Sequence, residues 1–136
     1  MRRNIIFLLL IFLLAMSCKD QSKPEDVAER FLSAYLDCRF SDAEPLASSQ
    51  VLEQMRWRMS NFTQAEVELL GENEPQVAIE ETHDFGDSCV VWLNASNALL
   101  LDSIDQPGHI GNQRFGLALK KEKGSTWLVT ALIYNL

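Results

Sequence analysis

The 136-residue sequence predicts an α+β domain in which helices precede an antiparallel sheet. From residue 24 to about residue 74, apolar residues recur at the three- and four-residue spacing of helices. After Pro75 they alternate with polar residues, as in strands with one buried face. Helices followed by a run of strands are typical of domains whose helices cover one face of a sheet. We therefore expect N-terminal helices packed on one face of an antiparallel sheet of three to four or more strands.

The first helix is predicted to begin at Pro24, a residue that suits a first helical turn. Ser22 and Glu25 have the spacing of a capping box. The apolar stripe of this helix comprises Val27, Phe31, Ala34, Tyr35 and Cys38. A stripe this broad is expected to pack against a sheet.

Three more helical segments follow. Ser41 and Glu44 form a second capping-box pair and predict a short helix. Residues 48–62 form a longer helical stretch, and residues 63–74 add a turn or two. The spacing in the longer stretch places Trp57 on the outer side, between Arg56 and Arg58. Its predicted inner stripe comprises Leu52, Met55, Met59 and Phe62.

Four segments have the alternating or β-branched composition of strands: residues 77–83, 88–94, 114–121 and 126–135. Residues 98–101 are ambiguous and prolong the second strand in one interpretation. Residues 84–87 and 122–125 read as turns, and residues 105–113 as a loop with two glycines and one proline.

The N-terminus differs in composition from this domain. Arg2 and Arg3 precede an unbroken apolar run over residues 5–16. A helix of that length rises about 18 Å, which is too short for a hydrocarbon core of about 30 Å but typical of a secretory signal. Residues 13–18, Leu-Leu-Ala-Met-Ser-Cys, resemble the lipobox of bacterial lipoproteins, whose cysteine is diacylated and becomes the mature N-terminus.

This resemblance implies a lipoprotein signal peptide at 1–17, a lipidated tether at 18–23 and a single domain at 24–136. Cys18 would carry the acyl chains (palmitate among them). The protein would then be anchored to the outer membrane of a Gram-negative cell envelope, on its periplasmic side or at the cell surface. The alternative is ordinary secretion with an unmodified Cys18.

The charge of the domain limits its partners. Removal of residues 1–17 leaves 119 of the 136 residues, which suits one domain. Arg2 and Arg3 leave with the signal, so the formal net charge changes from −7 to −9. An acidic domain repels nucleic-acid phosphates and anionic lipid headgroups. We expect no nucleic-acid partner, and membrane attachment through the acyl chains.

Motifs at the two ends of the domain carry a family resemblance. They comprise Pro24, Glu25, Ala28, Phe31 and Leu32 near the start, and Leu119, Lys120, Lys121, Gly124 and Trp127 near the end. This pattern resembles small bacterial lipoprotein domains of unknown function with a nuclear-transport-factor-2-like (cystatin-like) fold. The resemblance implies a sheet curved around the first helix as a cone, with a pocket at its wide end. Such folds host isomerases, dehydratases and cyclases as well as binding modules, so the fold alone does not give the function.

The sequence offers little for catalysis. An enzyme of this kind needs an acid–base group inside the cone, often an Asp–His pair. His83 is followed by Asp84, but consecutive strand residues point to opposite faces. His109 lies in a glycine-containing loop. Motifs for phosphate binding and activated nucleophiles, and metal-ligand spacings, do not occur. The sequence therefore predicts no catalytic residue, metal or cofactor.

Three sets of residues are candidates for other roles. Tyr35, Trp92 and Trp127 are predicted either to line a ligand pocket or to form the core. Arg56, Trp57 and Arg58 are predicted either to contact a partner or to pack on a neighbouring element, since Trp and Arg are enriched at interface hot spots. Cys38 and Cys89, 51 residues apart, are either a disulfide, which would stabilise by about 4 kcal/mol, or two buried thiols.

These observations favour a non-catalytic envelope module that binds a protein or a small apolar ligand, or that has a structural role. The alternative function is a small-molecule isomerase or cyclase that uses the cone pocket. The oligomeric state, including a homodimer, stays open.

Overall fold

The computed structural model describes residues 23–102 and 105–134, so the segment that contains the expected signal peptide and Cys18 lies outside the described residues. The α+β prediction is confirmed: within these residues, four α-helices precede four antiparallel strands. The elements are α1 Pro24–Leu36, α2 Phe40–Ala43, a 3₁₀-helix Glu44–Leu46, α3 Ser49–Ser60, α4 Gln64–Glu72, β1 Gln76–Asp84, β2 Ser88–Leu100, β3 His109–Glu122 and β4 Thr126–Tyr134.

The strands form one sheet in the order β1–β2–β3–β4, so each pairs with its neighbour in sequence. α1 lies against this sheet and contacts all four strands. The core therefore lies between α1 and one face of the sheet. Its largest members from these two layers are Phe31, Leu32, Leu36, Leu93, Leu117 and Leu119. None of the helices in the described ranges is long and apolar enough to cross a membrane.

β2 is longer than its sequence pattern indicates, because a register shift between Ala95 and Ala98 lets it continue to Leu100. Asn97 occupies this irregularity with a φ of 56°. Its side-chain amide donates to the backbone oxygen of Glu74, 3.0 Å away. Bulges of this kind bend a strand and increase its twist. The ambiguous residues 98–101 thus mostly belong to β2, and β3 begins at His109 inside the predicted loop.

α1 ends in a Schellman motif. The backbone N–H of Arg39 donates to the oxygen of Ala34 at 2.9 Å, and that of Cys38 donates to the oxygen of Tyr35 at 3.4 Å. Cys38 takes the left-handed position with a φ of 56°, where glycine is usual. The motif turns the chain, so that α2 folds back against α1.

The helix starts differ from two predicted capping boxes. α1 has Lys23 as its N-cap, without a side-chain hydrogen bond. α2 begins at Phe40, so Ser41 is inside the helix rather than at its cap, and that prediction is wrong. The capping box that does form is Thr63 with Glu66 at the start of α4.

Candidate functional site

The three predicted pocket aromatics do not share one location. Tyr35 and Trp127 are buried, with 3% and 6% of their surface exposed, and belong to the core cluster. Trp92 lies between Val91 and Leu93, which are both fully buried. Because side chains alternate along a strand, Trp92 faces the opposite side of the sheet. Its assignment to the same interior pocket is therefore wrong.

Trp92 instead forms a cluster on the outer face of the sheet. The Arg114 guanidinium carbon lies 4.3 Å from the centroid of the Trp92 ring. Arg114 also donates from Nε to Glu80 Oε2 at 2.9 Å and from Nη2 to Glu81 Oε2 at 3.0 Å. Gly116 pairs directly with Trp92, and a Cβ there would lie 2.8 Å from the ring. Glycine at this position therefore leaves room for the indole.

The prediction that Arg56 and Arg58 both lie at the surface of α3 is correct for Arg56 only. Trp57 is 53% exposed, and Arg56 next to it is also exposed. The Arg56 guanidinium carbon lies 4.7 Å from the centroid of the Phe40 ring, so this side chain is held against α2. Arg58, however, is only 8% exposed. Helical periodicity places it on the buried stripe with Val51 and Met55, so it cannot belong to an exposed partner-binding surface.

Arg58 lies between two aromatic rings inside the helical layer. Its guanidinium carbon is 5.2 Å from the centroid of Tyr35 and 5.0 Å from that of Phe62. Nη2 donates to the backbone oxygen of Leu99 at 2.9 Å, while Nε is buried without a hydrogen-bond partner among the described residues. The cation thereby connects α1, α3 and β2.

Glu66 is a second buried charge, and it is not among the candidate residues predicted from the sequence. Its Oε1 accepts hydrogen bonds from the backbone N–H and the hydroxyl of Thr63 at 3.1 and 2.9 Å. Its Oε2 accepts from the backbone N–H of Gly108 at 3.1 Å. These bonds, first that from the Thr63 backbone, lower the pKa of the Glu66 carboxyl, and the Arg58 charge adds to the effect. The Thr-x-x-Glu spacing is that of a capping box, so the sequence does contain a pattern that indicates a hydrogen-bonded Glu66.

A polar cleft of about 600 Å³ lies on the outer side of α1. One wall carries four residues at helical spacing on the polar face of α1, and the other wall is formed by the segment from Arg39 to Leu46. Arg39 is held in place by ion pairs with Asp37 at 3.1 Å and Asp42 at 2.9 Å. The polar residues that face each other across the cleft include Asp26, Glu29, Arg30, Ser33, Arg39 and Ser41.

Both histidines lie at exposed positions. His83 Nε2 is 3.5 Å from Glu81 Oε2, and His109 Nδ1 is 3.5 Å from Asp102 Oδ2. About half of each imidazole side chain is exposed to solvent, so neither histidine is enclosed by the core. Within residues 23–102 and 105–134, His, Cys, Asp and Glu side chains form no group of three or more that could hold a metal ion.

Cys38 and Cys89 are free thiols, so the candidate disulfide between them is not formed. Cys38 follows the C-terminal end of α1, whereas Cys89 lies near Glu25 at its N-terminal end, where that carboxylate acts on the thiol. The 13 residues of α1 span about 20 Å, and a disulfide requires Cα atoms within about 7 Å. Burial raises the pKa of the Cys89 thiol to about 11 and also raises that of Cys38.

Comparison with known proteins identified structural similarities. No protein-family model and no curated protein matches the chain. One similar solved structure is a Campylobacter jejuni protein described as an NTF2-like transpeptidase, with 16% identity and a TM-score of 0.47, over 80% of this chain and 98% of that chain. Another is an NTF2-like protein involved in plasmid conjugation, with 12% identity and a TM-score of 0.41, over 80% of this chain and 47% of that chain. The candidate sites described above are derived from the side chains of this chain and not from those two structures.

Proposed function

We propose that the protein is a lipid-anchored, non-catalytic module of the Gram-negative cell envelope that binds a protein partner through α3. The observation that carries the proposal is Trp57, an indole that is 53% exposed and is preceded by Arg56, whose guanidinium lies over the Phe40 ring. Burying a large aromatic side chain is a principal source of binding energy, and Trp and Arg are the residues enriched at interface hot spots.

The local structure prepares Trp57 for binding. The side chains of Ser60 and Asn61 both donate to the backbone oxygen of Trp57, at 2.9 and 2.7 Å, and thereby fix the last turn of α3. Arg56 is stacked on Phe40 and so has less side-chain freedom to lose on binding. A partner that fits this surface would offer an apolar pocket for the indole with a carboxylate close to Arg56.

The envelope location rests on the sequence. The basic start, the short apolar run and Cys18 resemble a lipoprotein signal, and the domain's net negative charge leaves the acyl chains as its means of membrane attachment. Anchoring would confine the domain to one membrane and raise its effective concentration toward other envelope proteins.

The two buried charged side chains are already hydrogen-bonded within the protein, and this favours a non-catalytic role over an isomerase or a cyclase. Such an enzyme needs an acid or a base that is available to a substrate. Both oxygens of Glu66 already accept hydrogen bonds, and Arg58 is bound to Leu99 between two rings. These groups act in holding the helices to the sheet.

The anchor is tested by fractionation of a Gram-negative host that expresses the full chain. We expect the wild-type protein in the membrane fraction and the Cys18→Ala variant in the soluble fraction. Mass spectrometry of the mature wild-type N-terminus should show acyl chains on Cys18. A wild-type protein as soluble as the variant would contradict the anchor.

The partner surface is tested with a photo-crosslinking amino acid placed at Trp57 in living cells. Val67 on α4 is the matched control, because it is 54% exposed and lies outside the proposed surface. We expect one discrete crosslinked species from position 57, weakened by Arg56→Ala, and none from position 67. Equal patterns at both positions, or none at position 57, would reject the surface.

A further inference from the structure

We infer that the cleft between α1 and α2 binds a small zwitterion, with the carboxylate and ammonium chemistry of a short peptide. This site is separate from the surface around Trp57. The inference depends on the spacing of charges along α1, on the Schellman turn that brings α2 opposite α1, and on Arg30, which has no ion-pair partner among the described residues.

The cleft wall on α1 is one continuous helical face. Asp26, Glu29, Arg30 and Ser33 are separated by three, one and three residues, and therefore lie on one side of the helix. Buried residues such as Phe31 occupy the other side, against the sheet. An exposed polar helix face is ordinarily covered by solvent alone, but here α2 and the 3₁₀-helix form a facing wall, which leaves a half-open cleft of about 600 Å³.

The charges in the cleft are unequally satisfied. Arg39 is neutralised by its two ion pairs with Asp37 and Asp42. Arg30 differs, since its Nη1 is buried without a hydrogen-bond partner in the part of the chain that the structure describes. Within those residues no ion pair joins Arg30 to Asp26, although their spacing of four residues would permit one.

The cleft thus presents one cation with spare donor capacity and two carboxylates, Asp26 and Glu29, on the same helix face. A ligand carboxylate would pair with the Arg30 guanidinium, which lines the cleft and has no ion-pair partner among the described residues, because planar guanidinium groups match carboxylates well. An ammonium group would complement Asp26 and Glu29, and the hydroxyls of Ser33 and Ser41 can bond peptide groups between the two ends. A simple anion would be repelled by the two carboxylates, which is why the charges favour a zwitterion.

The size of the cleft agrees with this ligand class. Small-molecule sites commonly have volumes of about 300–1,000 Å³, and this cleft has about 600 Å³. The apolar side chains of Pro45 and Leu46 contribute to its lining and can contact ligand side chains.

The test is calorimetric titration of the full chain, purified in detergent, with trialanine that has both termini free. Its C-terminal amide and its N-acetylated form are titrated in parallel. We expect saturable binding of the free peptide, and Kd values at least about tenfold higher for each blocked form, since each block removes one charge-assisted interaction. Absence of saturable binding, or equal binding of the amide, would overturn the inference.

Variants separate the cleft from other cations. In Arg30→Gln we expect free trialanine and its C-terminal amide to bind equally weakly. The N-acetylated peptide should still have a higher Kd than free trialanine. Lys123→Gln, which removes an exposed cation outside both the cleft and the Trp57 surface, is the control and should bind as the wild type does. Ser33→Leu should fill the cleft and abolish binding of all three peptides with an unchanged circular-dichroism spectrum. Wild-type binding by Arg30→Gln and Ser33→Leu would reject the site.

Discussion

Arg58 in α3 donates a hydrogen bond from Nη2 to the backbone oxygen of Leu99 in β2, at 2.9 Å and across 41 residues of sequence. This bond joins the helical layer to the far end of a sheet strand. Because the Leu99 oxygen is enclosed in the core, it would lose its donor if the guanidinium were removed. These three consecutive residues of α3 therefore have two roles. Arg58 stabilises the fold, whereas Arg56 and Trp57 remain at the surface.

Arg58→Ala should reduce the free energy of unfolding by about 2–3 kcal/mol, because it removes a charge-assisted hydrogen bond and two ring contacts. Arg56→Ala removes one exposed cation–π contact and should cost at most about 1 kcal/mol. Urea denaturation of the two variants measures the difference. Equal losses would mean that the buried hydrogen bond to Leu99 does not contribute.

The general architecture was predictable from the sequence, because binary patterning reflects burial directly. The change of period after Pro75 placed the helices before the strands, as observed. The face of Trp92 was not predictable in the same way. Residues 89–93 are apolar at every position, so the alternation that would distinguish inside from outside is lost. Gly116, the room it leaves and the stacked Arg114 become visible only once the strands are paired.

The cleft was unpredictable for a different reason. Its α1 wall is a polar helix face, which in a sequence indicates only solvent exposure. Its closure depends on a Schellman turn that uses Cys38 at the left-handed position, without the glycine that normally signals such a turn. Arg58, by contrast, was predictable by counting: it lies seven residues after Val51 and four before Phe62, on the buried stripe.

Glu66 should make stability depend on pH in the acid range. Its hydrogen bonds lower its pKa in the folded state, so the unfolded chain takes up the proton first as the pH falls. The stabilisation is complete above the ordinary glutamate pKa of about 4.3 and is lost as the pH drops through the folded-state value. Glu66→Gln should therefore be clearly less stable than the wild type at pH 7, with a smaller gap at pH 3. Glu68→Gln, an exposed residue of the same helix, is the control. A gap that is independent of pH would contradict the assignment.

Cys89 should make stability depend on pH in the alkaline range. Burial raises the pKa of its thiol to about 11, so above pH 9 the unfolded chain loses this proton while the folded chain retains it. Folding stability should therefore decline between about pH 9 and 11. We therefore expect the wild type to lose stability relative to Cys89→Ala between pH 8 and pH 10. The measurement is the unfolding free energy of both proteins at each pH. A constant difference would mean that the thiol is accessible to water.

Two glycine-to-alanine substitutions should have opposite effects. At Gly116 a new Cβ would lie 2.8 Å from the Trp92 ring, so the indole must move away from Arg114. We expect a loss of about 1–3 kcal/mol and a changed tryptophan emission spectrum. At Gly71 in α4 a Cβ meets nothing within 4 Å, and alanine should add up to about 1 kcal/mol through helix propensity. Thermal denaturation measures both variants; a neutral Gly116→Ala would show that the indole is not confined.

Cys38 gives the final prediction, which separates backbone strain from side-chain packing. Its φ of 56° is left-handed, and such a conformation costs a non-glycine residue roughly 1–2 kcal/mol. Cys38→Ala and Cys38→Gly both remove the thiol, but only the glycine variant removes the strain. We therefore expect Cys38→Gly to be more stable than Cys38→Ala by about 1 kcal/mol, less than the full strain because glycine also loses more backbone entropy on folding. Chemical denaturation of the two variants tests this order. If alanine were equal or better, the Schellman turn that closes the cleft would not require a left-handed residue.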